Sequence, residues 1–288
     1  MRNVRFIVSI DGGGIRGVLP LTVLDFLDKE IKRLGLGASI NEKIDFFAGT
    51  STGAIIAAAL MLENDGDATY SPAHVLELYK GRGSQIFDPS REDEHHGPAL
   101  KLVLDNNFGH LKLSDLTKRF AFVSYDETSK NPFTFHCRQD AFRDLPLSKV
   151  LYACSAVSDY FPPVSLLCYR LSDGINTAKN PAAIALRYAR AYFPEDLIVM
   201  LSIGTGELPQ EQFDAIEEDV LEVHDRLQLR AKRNHDFIYY RLQPSLVKGN
   251  HAMDDSSPEN IENLIEDGKA YVEQNEELLK EIAKRFDI

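Results

Sequence analysis

Basic residues are scarce in this 288-residue chain: 32 Lys and Arg stand against 44 Asp and Glu, for a formal charge of −12 at pH 7. That balance argues against binding a nucleic-acid polymer, because displacing counterions from a phosphate backbone takes clustered cations. It also denies the chain long-range attraction to anionic lipid surfaces, so membrane contact has to come from a local basic or apolar patch. Cysteine is equally sparse. Cys137, Cys154 and Cys168 are odd in number and form no CxxC pair, which speaks against a disulfide framework or a zinc site and leaves three thiols expected to be buried and structural. The first apolar run, Phe6 to Ile10, is too short for a signal-peptide core or a membrane span. A cytoplasmic location, at most peripheral to a membrane, is the expectation. No Asp-rich calcium loop, internal repeat or low-complexity linker is visible, so no metal or organic cofactor is expected.

What is present is enough apolar material, 44% of residues, to bury one large core. The pattern predicts a single domain over residues 1–288, with a lid segment at about 71–98 and a helical region from about 212. Phe6 to Ile10 reads as a buried strand, and Leu21, Leu24, Leu27, Ile31 and Leu34 follow helical spacing up to Gly35 and Gly37. The pattern then repeats, with a strand at Ile44–Ala48, a turn at Gly49–Gly53 and an all-round apolar helix at Ala54–Leu62, which must lie against a sheet. Further strands are expected at Phe120–Ser124, Phe133–Cys137, Cys168–Ser172, Leu197–Ile203 and Phe237–Leu242. Helices are expected at Leu147–Ala156 and Pro181–Ala191, on the face Phe213, Ile216, Val220, Val223 and Leu227, and from Ser257-Pro258 through Ile282. Strands alternating with helices predict an α/β fold in three layers, a mixed but largely parallel central sheet flanked by helices.

Two turns carry chemistry. Gly49-Thr50-Ser51-Thr52-Gly53 is a GxSxG sequence between a predicted strand and a predicted helix, the context in which Gly49 and Gly53 let a sharp turn lift a serine nucleophile to a helix N-terminus. The plainer reading is a glycine-rich turn with a capping serine. Asp11-Gly12-Gly13-Gly14-Ile15-Arg16-Gly17 follows the first strand, and three consecutive glycines suit a backbone that turns its N–H groups toward an anion. That anion could be a bound phosphate or the transient oxyanion of an ester under attack. Gly12, Gly14 and Gly17 also match the GxGxxG fingerprint, so a nucleotide- or phosphate-binding Rossmann-like protein is the alternative reading. It calls for an acidic residue ending the second strand, whereas Asp28 and Glu30 fall inside the predicted helix and the second strand ends in the serine turn. Among the remaining polar residues, His95-His96 read as solvated, Arg16 as structural or phosphate-contacting, and His136, His235 and His251 as the histidines a Ser-His-Asp triad could draw on.

Together, DGGGIRG and GTSTG resemble the patatin-like phospholipases and their cytosolic phospholipase relatives. The resemblance continues through Cys154 to Val164, with its YFPP turn at Tyr160–Pro163, through Asp173-Gly174, and through Leu201-Ser202-Ile203-Gly204-Thr205-Gly206, spanning residues 5 to 206. It implies a serine lipid acyl hydrolase of phospholipase A or lysophospholipase type, acting on a lipid or membrane substrate. In that scheme Ser51 attacks an acyl ester, Asp173 of the DG motif with Gly174 takes its proton, and the loop Gly12, Gly13, Gly14, Ile15 and Arg16 forms the oxyanion hole. One departure is that Ile175 stands where the family has Gly or Ala. Some bacterial proteins of this kind are switched by a small regulatory nucleotide, so such a ligand and a homo-oligomer belong among the partners the resemblance implies.

Overall fold

The structure, a computed structural model, describes residues 2–64, 67–86, 97–158, 160–209, 211 and 214–287. The opening apolar run extends as β1 (Val4–Ile10), its last five residues buried. It turns through the glycine loop into α1 (Val18–Arg33) and the short α2 (Ile40–Lys43). Then come β2 (Phe46–Thr50), α3 (Thr52–Leu60), the two-residue hairpin β3 (Glu63–Asn64) and β4 (Asp67–Ala68), and helices α4 (Pro72–Ile86) and α5 (Gly97–Phe108). The middle of the chain supplies β5 (Arg119–Asp126), β6 (Asn131–His136), α6 (Leu147–Ser155), β7 (Val164–Leu166), β8 (Tyr169–Asp173), α7 (Ile175–Ala178), α8 (Ala182–Tyr192) and β9 (Leu197–Ile203). The last quarter is α9 (Ala215–Arg233), β10 (Phe237–Leu242), α10 (Pro258–Gln274) and α11 (Glu276–Lys284).

The sheet runs β10-β9-β1-β2-β5-β8-β7, with β6 also paired to β5. Its core from β10 to β5 is parallel, and β6, β7 and β8 are antiparallel. Because side chains alternate across a strand, neighbours separate to opposite faces. Val8 and Ile10 join the core formed with α1, α3 and α10, whereas Ile7, Phe46 and Met200 pack against α8 and α9. The expected three-layer mixed sheet is the observed one.

Three expectations need correcting. The stretch at 71–98 was expected to be an exposed segment, yet residues 72–86 form α4 with Val75, Leu76 and Gly83 buried. Its glycines hide the helix: a Cβ at Gly83 would come within 2.8 Å of Ile15 Cδ1, so glycine there serves close packing rather than a loop. The remainder of that stretch up to residue 96, including His95 and His96, lies outside the described residues, as does Phe213. The single helix expected from Ser257 is two, divided at Asn275, whose dihedral angles leave the helical region. Cys154 is buried as expected, but Cys137 and Cys168 are exposed, because they lie just beyond β6 and in the β7–β8 turn. Among the described residues no helix is long and apolar enough to cross a membrane.

The second turn depends on close backbone approach. A Cβ on Gly53 would sit 2.2 Å from the carbonyl oxygen of Ile10, and one on Gly49 would sit 2.2 Å from the carbonyl carbon of Gly53. Gly53→Ala is therefore expected to destabilise the protein by about 1–3 kcal/mol or more, as overpacked cores do. Gly81→Ala, where a Cβ meets nothing within 4 Å, should stabilise α4 by about 0.5–1 kcal/mol. Urea midpoints that rank the two variants the other way would contradict this reading of the turn.

Candidate active site

Ser51 stands between β2 and α3 at φ 53° and ψ −126°. A positive φ in a non-glycine residue costs on the order of 1–3 kcal/mol and persists only where the surroundings enforce it. Here the strand end is pinned by Thr50, whose hydroxyl donates to the Ala178 carbonyl at 2.6 Å, and the helix start is pinned by Gly53 against Ile10. The serine is thereby held at the N-terminus of α3, where the helix dipole favours negative charge.

Asp173 reaches the same place from the opposite direction. Along β5, β2 pairs with residues 119 to 123, its last residue Thr50 opposite Val123. β8 runs antiparallel along residues 124 to 126, its last residue Asp173 opposite Ser124. The hairpin partner β6 spans residues 121 to 126 of β5, overlapping both, and so occupies the other edge. β2 and β8 thus share one edge of β5 and meet end to end, which brings Ser51 and Asp173 together. Ser124 seals the seam by donating to the carbonyls of Ala153 and Ser172.

Asp173 is 3% exposed. Its Oδ1 accepts the Ile175 N–H at 2.8 Å, while Oδ2 has no partner in hydrogen-bonding geometry among the described residues. Burial pushes its pKa up to about 7, opposed by the nearby Ser51 hydroxyl and the Ile175 amide. The departure at Ile175 is accommodated: the amide orients the carboxylate, and the side chain packs beside Gly12, 3.4 Å from where a Cβ there would lie. His136, one of the histidines a triad could draw on, lies tilted against the Tyr188 ring, with centroids 4.6 Å apart.

The glycine loop is held by three distant segments. Gly12 N–H donates to the Lys179 carbonyl at 3.0 Å, Ile15 N–H donates to Met253 at 2.9 Å, and the Thr205 hydroxyl donates to the Gly12 carbonyl at 2.6 Å. Arg16 N–H turns back onto Gly13 at 3.1 Å. Of the five residues expected to form the oxyanion hole, Gly12, Ile15 and Arg16 thus have amides that already meet acceptors. Gly13 and Gly14 remain the loop amides without an acceptor among the described residues. Gly14 needs its glycine, with φ +58° and Met253 O only 2.1 Å from where a Cβ would stand.

Behind the loop lies a buried charge cluster. Arg241 grips Asp11 with both guanidinium nitrogens, at 3.0 and 2.6 Å, the bidentate geometry that makes such pairs strong. Burial raises the Asp11 pKa and Arg241 opposes the rise. Lys179 pairs with Glu217 of α9. Burial lowers the pKa of both Lys179 and Arg16, and the Glu217 carboxylate counters both shifts. Sequence reasoning missed Lys179, Thr205, Glu217, Arg241 and Met253. A lysine embedded in Ala178-Lys179-Asn180-Pro181-Ala182 hints at a buried cation, and Thr205 lies inside a motif already singled out. The acidic face of α9 conceals Glu217 completely.

Over Ser51 opens an apolar cavity. Ser51, at the start of α3, and Ile55 and Ala59 on one face of it line the cavity, a rise of about 12 Å. α4 and α5 wall it with Val75, Leu78, Leu100 and Leu104. Tyr79 of α4 hydrogen-bonds the Thr52 hydroxyl, tying that wall to the serine turn.

A family model described as patatin-like phospholipase matches residues 8–186. Patatin-17 of Solanum cardiophyllum is 25% identical over 97% of this chain and 88% of its own length. Patatin-08 of Solanum tuberosum is 24% identical over the same shares. Among solved structures, human GIVD cytosolic phospholipase A2 in complex with methyl gamma-linolenyl fluorophosphonate aligns at 11% identity and a TM-score of 0.53, over 98% of this chain. The chain spans 58% of that protein's length, and the likeness is one of fold.

Two expectations follow from the geometry. With a folded pKa of about 7 against 3.8 for a free carboxyl, the native state binds the Asp173 proton more tightly than the unfolded chain does. Stability is therefore lost through this group as pH rises from about 4 to 7, by up to ~1.4 kcal/mol per unit. Asp173→Asn should be more stable than wild type at pH 8, with the gap closing toward pH 4. Urea titrations showing no such pH-dependent gap would mean the carboxyl is not desolvated. If the cavity receives an acyl chain, Ala59→Phe should cut hydrolysis of long-chain esters by at least ~10-fold and leave butyrate esters unaffected, as read from kcat/KM across a chain-length series.

Proposed function

The chain belongs to the patatin-like phospholipase family, and from that premise we propose that it is a serine lipid acyl hydrolase cleaving fatty-acyl esters of phospholipids or lysophospholipids. The observation that carries the reading is the end-to-end meeting of β2 and β8. It sets a strained, buried serine against a desolvated carboxylate beneath an apolar cavity.

In the proposed reaction the acyl chain lies along α3 and the ester carbonyl sits over Ser51. Ser51 Oγ attacks the carbonyl carbon, and its proton passes to Asp173, whose Oδ2 has no other partner. A carboxylate raised to about 7 is a far stronger base than one at its ordinary value, and it lies near the pH at which a general base works best. Negative charge develops on the carbonyl oxygen, where the amides of Gly13 and Gly14 and the α3 dipole can stabilise it. One such donor is worth roughly 10²–10³ in rate. Collapse expels the alcohol or lysolipid with the proton from Asp173, and water activated by the same carboxylate then releases the fatty acid.

The roles predict distinct signatures. Ser51→Ala should lose at least ~10³-fold in turnover while remaining folded, and should no longer be labelled by a fluorophosphonate. In wild type, kcat/KM for a soluble ester should rise as pH increases through about 7 and level off above it, because the base must be ionised. Undiminished hydrolysis by Ser51→Ala would remove the proposal, and a retained pH profile in Asp173→Asn would move the base elsewhere.

A further inference from the structure

At the other end of the sheet, a groove between α8 and α9 is lined by Arg187, Arg190, Arg226 and Arg230 over a floor of Ala183, Leu186 and Leu227. In a chain of net charge −12, four arginines converging on one groove run against composition. They also run against local energetics. Arg226 and Arg230 stand four residues apart on α9, and Arg187 and Arg190 three apart on α8, the spacings at which like charges destabilise a helix.

Only Arg190 is neutralised in place. It pairs with Asp236 at 2.9 Å, and its terminal nitrogens donate to the carbonyls of Asp196 and Asp236, while its buried Nε has no partner among the described residues. Arg187, Arg226 and Arg230 are exposed and enter no ion pair with a carboxylate among the described residues. The carboxylate of Asp219, two turns earlier on α9, feels the charge of Arg226 without bonding it. The groove therefore presents guanidinium forks from both walls with spare donors, above an apolar floor.

We propose that this groove is a binding site for a small soluble phosphorylated ligand bearing two or more phosphate groups. Arginine forks match phosphate oxygens bidentately, and one ridge of them on each helix accommodates separate phosphates. The carbon skeleton rests on Leu186 and Leu227. A bilayer headgroup is the weaker fit because of position. Asp196 and Asp236 immediately precede β9 and β10, so the groove flanks the N-terminal ends of the parallel strands, a strand length of roughly 20 Å from the end that carries Ser51. A membrane seated on the groove would leave the cavity facing away from its substrate.

The test is calorimetric titration of the full chain with inorganic tripolyphosphate at low and physiological salt, repeated on Ser51→Ala. Wild type and Ser51→Ala are expected to bind one tripolyphosphate per chain alike, more weakly at higher salt. Arg226→Gln/Arg230→Gln should weaken binding at least ~10-fold, and Arg187→Gln alone at least ~3-fold. Without ligand, the double variant should melt no lower than wild type, because a like-charge pair has been removed. Absence of saturable binding to wild type, equal binding to the double variant, or a clear loss of its melting temperature would overturn the proposal. So would arginine-dependent binding to phosphatidylserine-containing vesicles without binding of tripolyphosphate.

Discussion

The seam where β2 and β8 arrive head to head along one edge of β5 is the constraint on which the rest depends. Neither strand alone explains a site. β2 delivers a serine at a strained turn, and β8 delivers a carboxylate into a place where water cannot solvate it. Register joins them: Thr50 ends opposite Val123 and Asp173 ends opposite Ser124, so consecutive positions on β5 fix both residues. The long separation in sequence is closed by main-chain hydrogen bonds rather than by flexible side chains.

A second layer of constraint holds the glycine loop. An unsupported run of three glycines would sample many conformations, because glycine loses the most backbone freedom on ordering. Lys179, Thr205 and Met253 each take or give one hydrogen bond to it, and the Gly13 and Gly14 amides have no acceptor among the described residues. The buried pairs Asp11–Arg241 and Lys179–Glu217 anchor this arrangement to β10 and α9. Breaking such a pair from one side costs about 3–5 kcal/mol, because the remaining charge is left stranded. The C-terminal quarter of the chain, which shows no recognisable motif, is therefore part of the site's support.

Legibility followed the range of the interaction. Leu197–Ile203 could be read to the residue because a buried parallel strand is a near-continuous apolar run bounded by polar residues, and Phe237–Leu242, a half-buried edge strand carrying Arg241, because it is rich in aromatic strand formers. α4 escaped because Gly81 and Gly83 resemble loop residues, while Gly83 in fact makes room for Ile15. The division of the last helix at Asn275 was hidden by periodicity that continues across it. Local chemistry marked Ser51 and the glycine run. Which amides of that run stay free depended on acceptors at 179 and 253, far outside any window that periodicity or motif can inspect.

By itself, the order of residues determined the strand–turn–helix units, the glycines that the tight turns require, and the pairing of a GxSxG turn with a DGGG loop and a DG dipeptide. These rest on local sterics and hydrophobic period, which act over a few residues. Tertiary structure alone decided that Asp173 is buried beside Ser51, that its pKa is raised, that the amides of Gly13 and Gly14 meet no acceptor among the described residues, and that four arginines line one groove. Each of these depends on which strand lies beside which and on how much water the neighbours exclude. Those are properties of the closed fold and of no single segment.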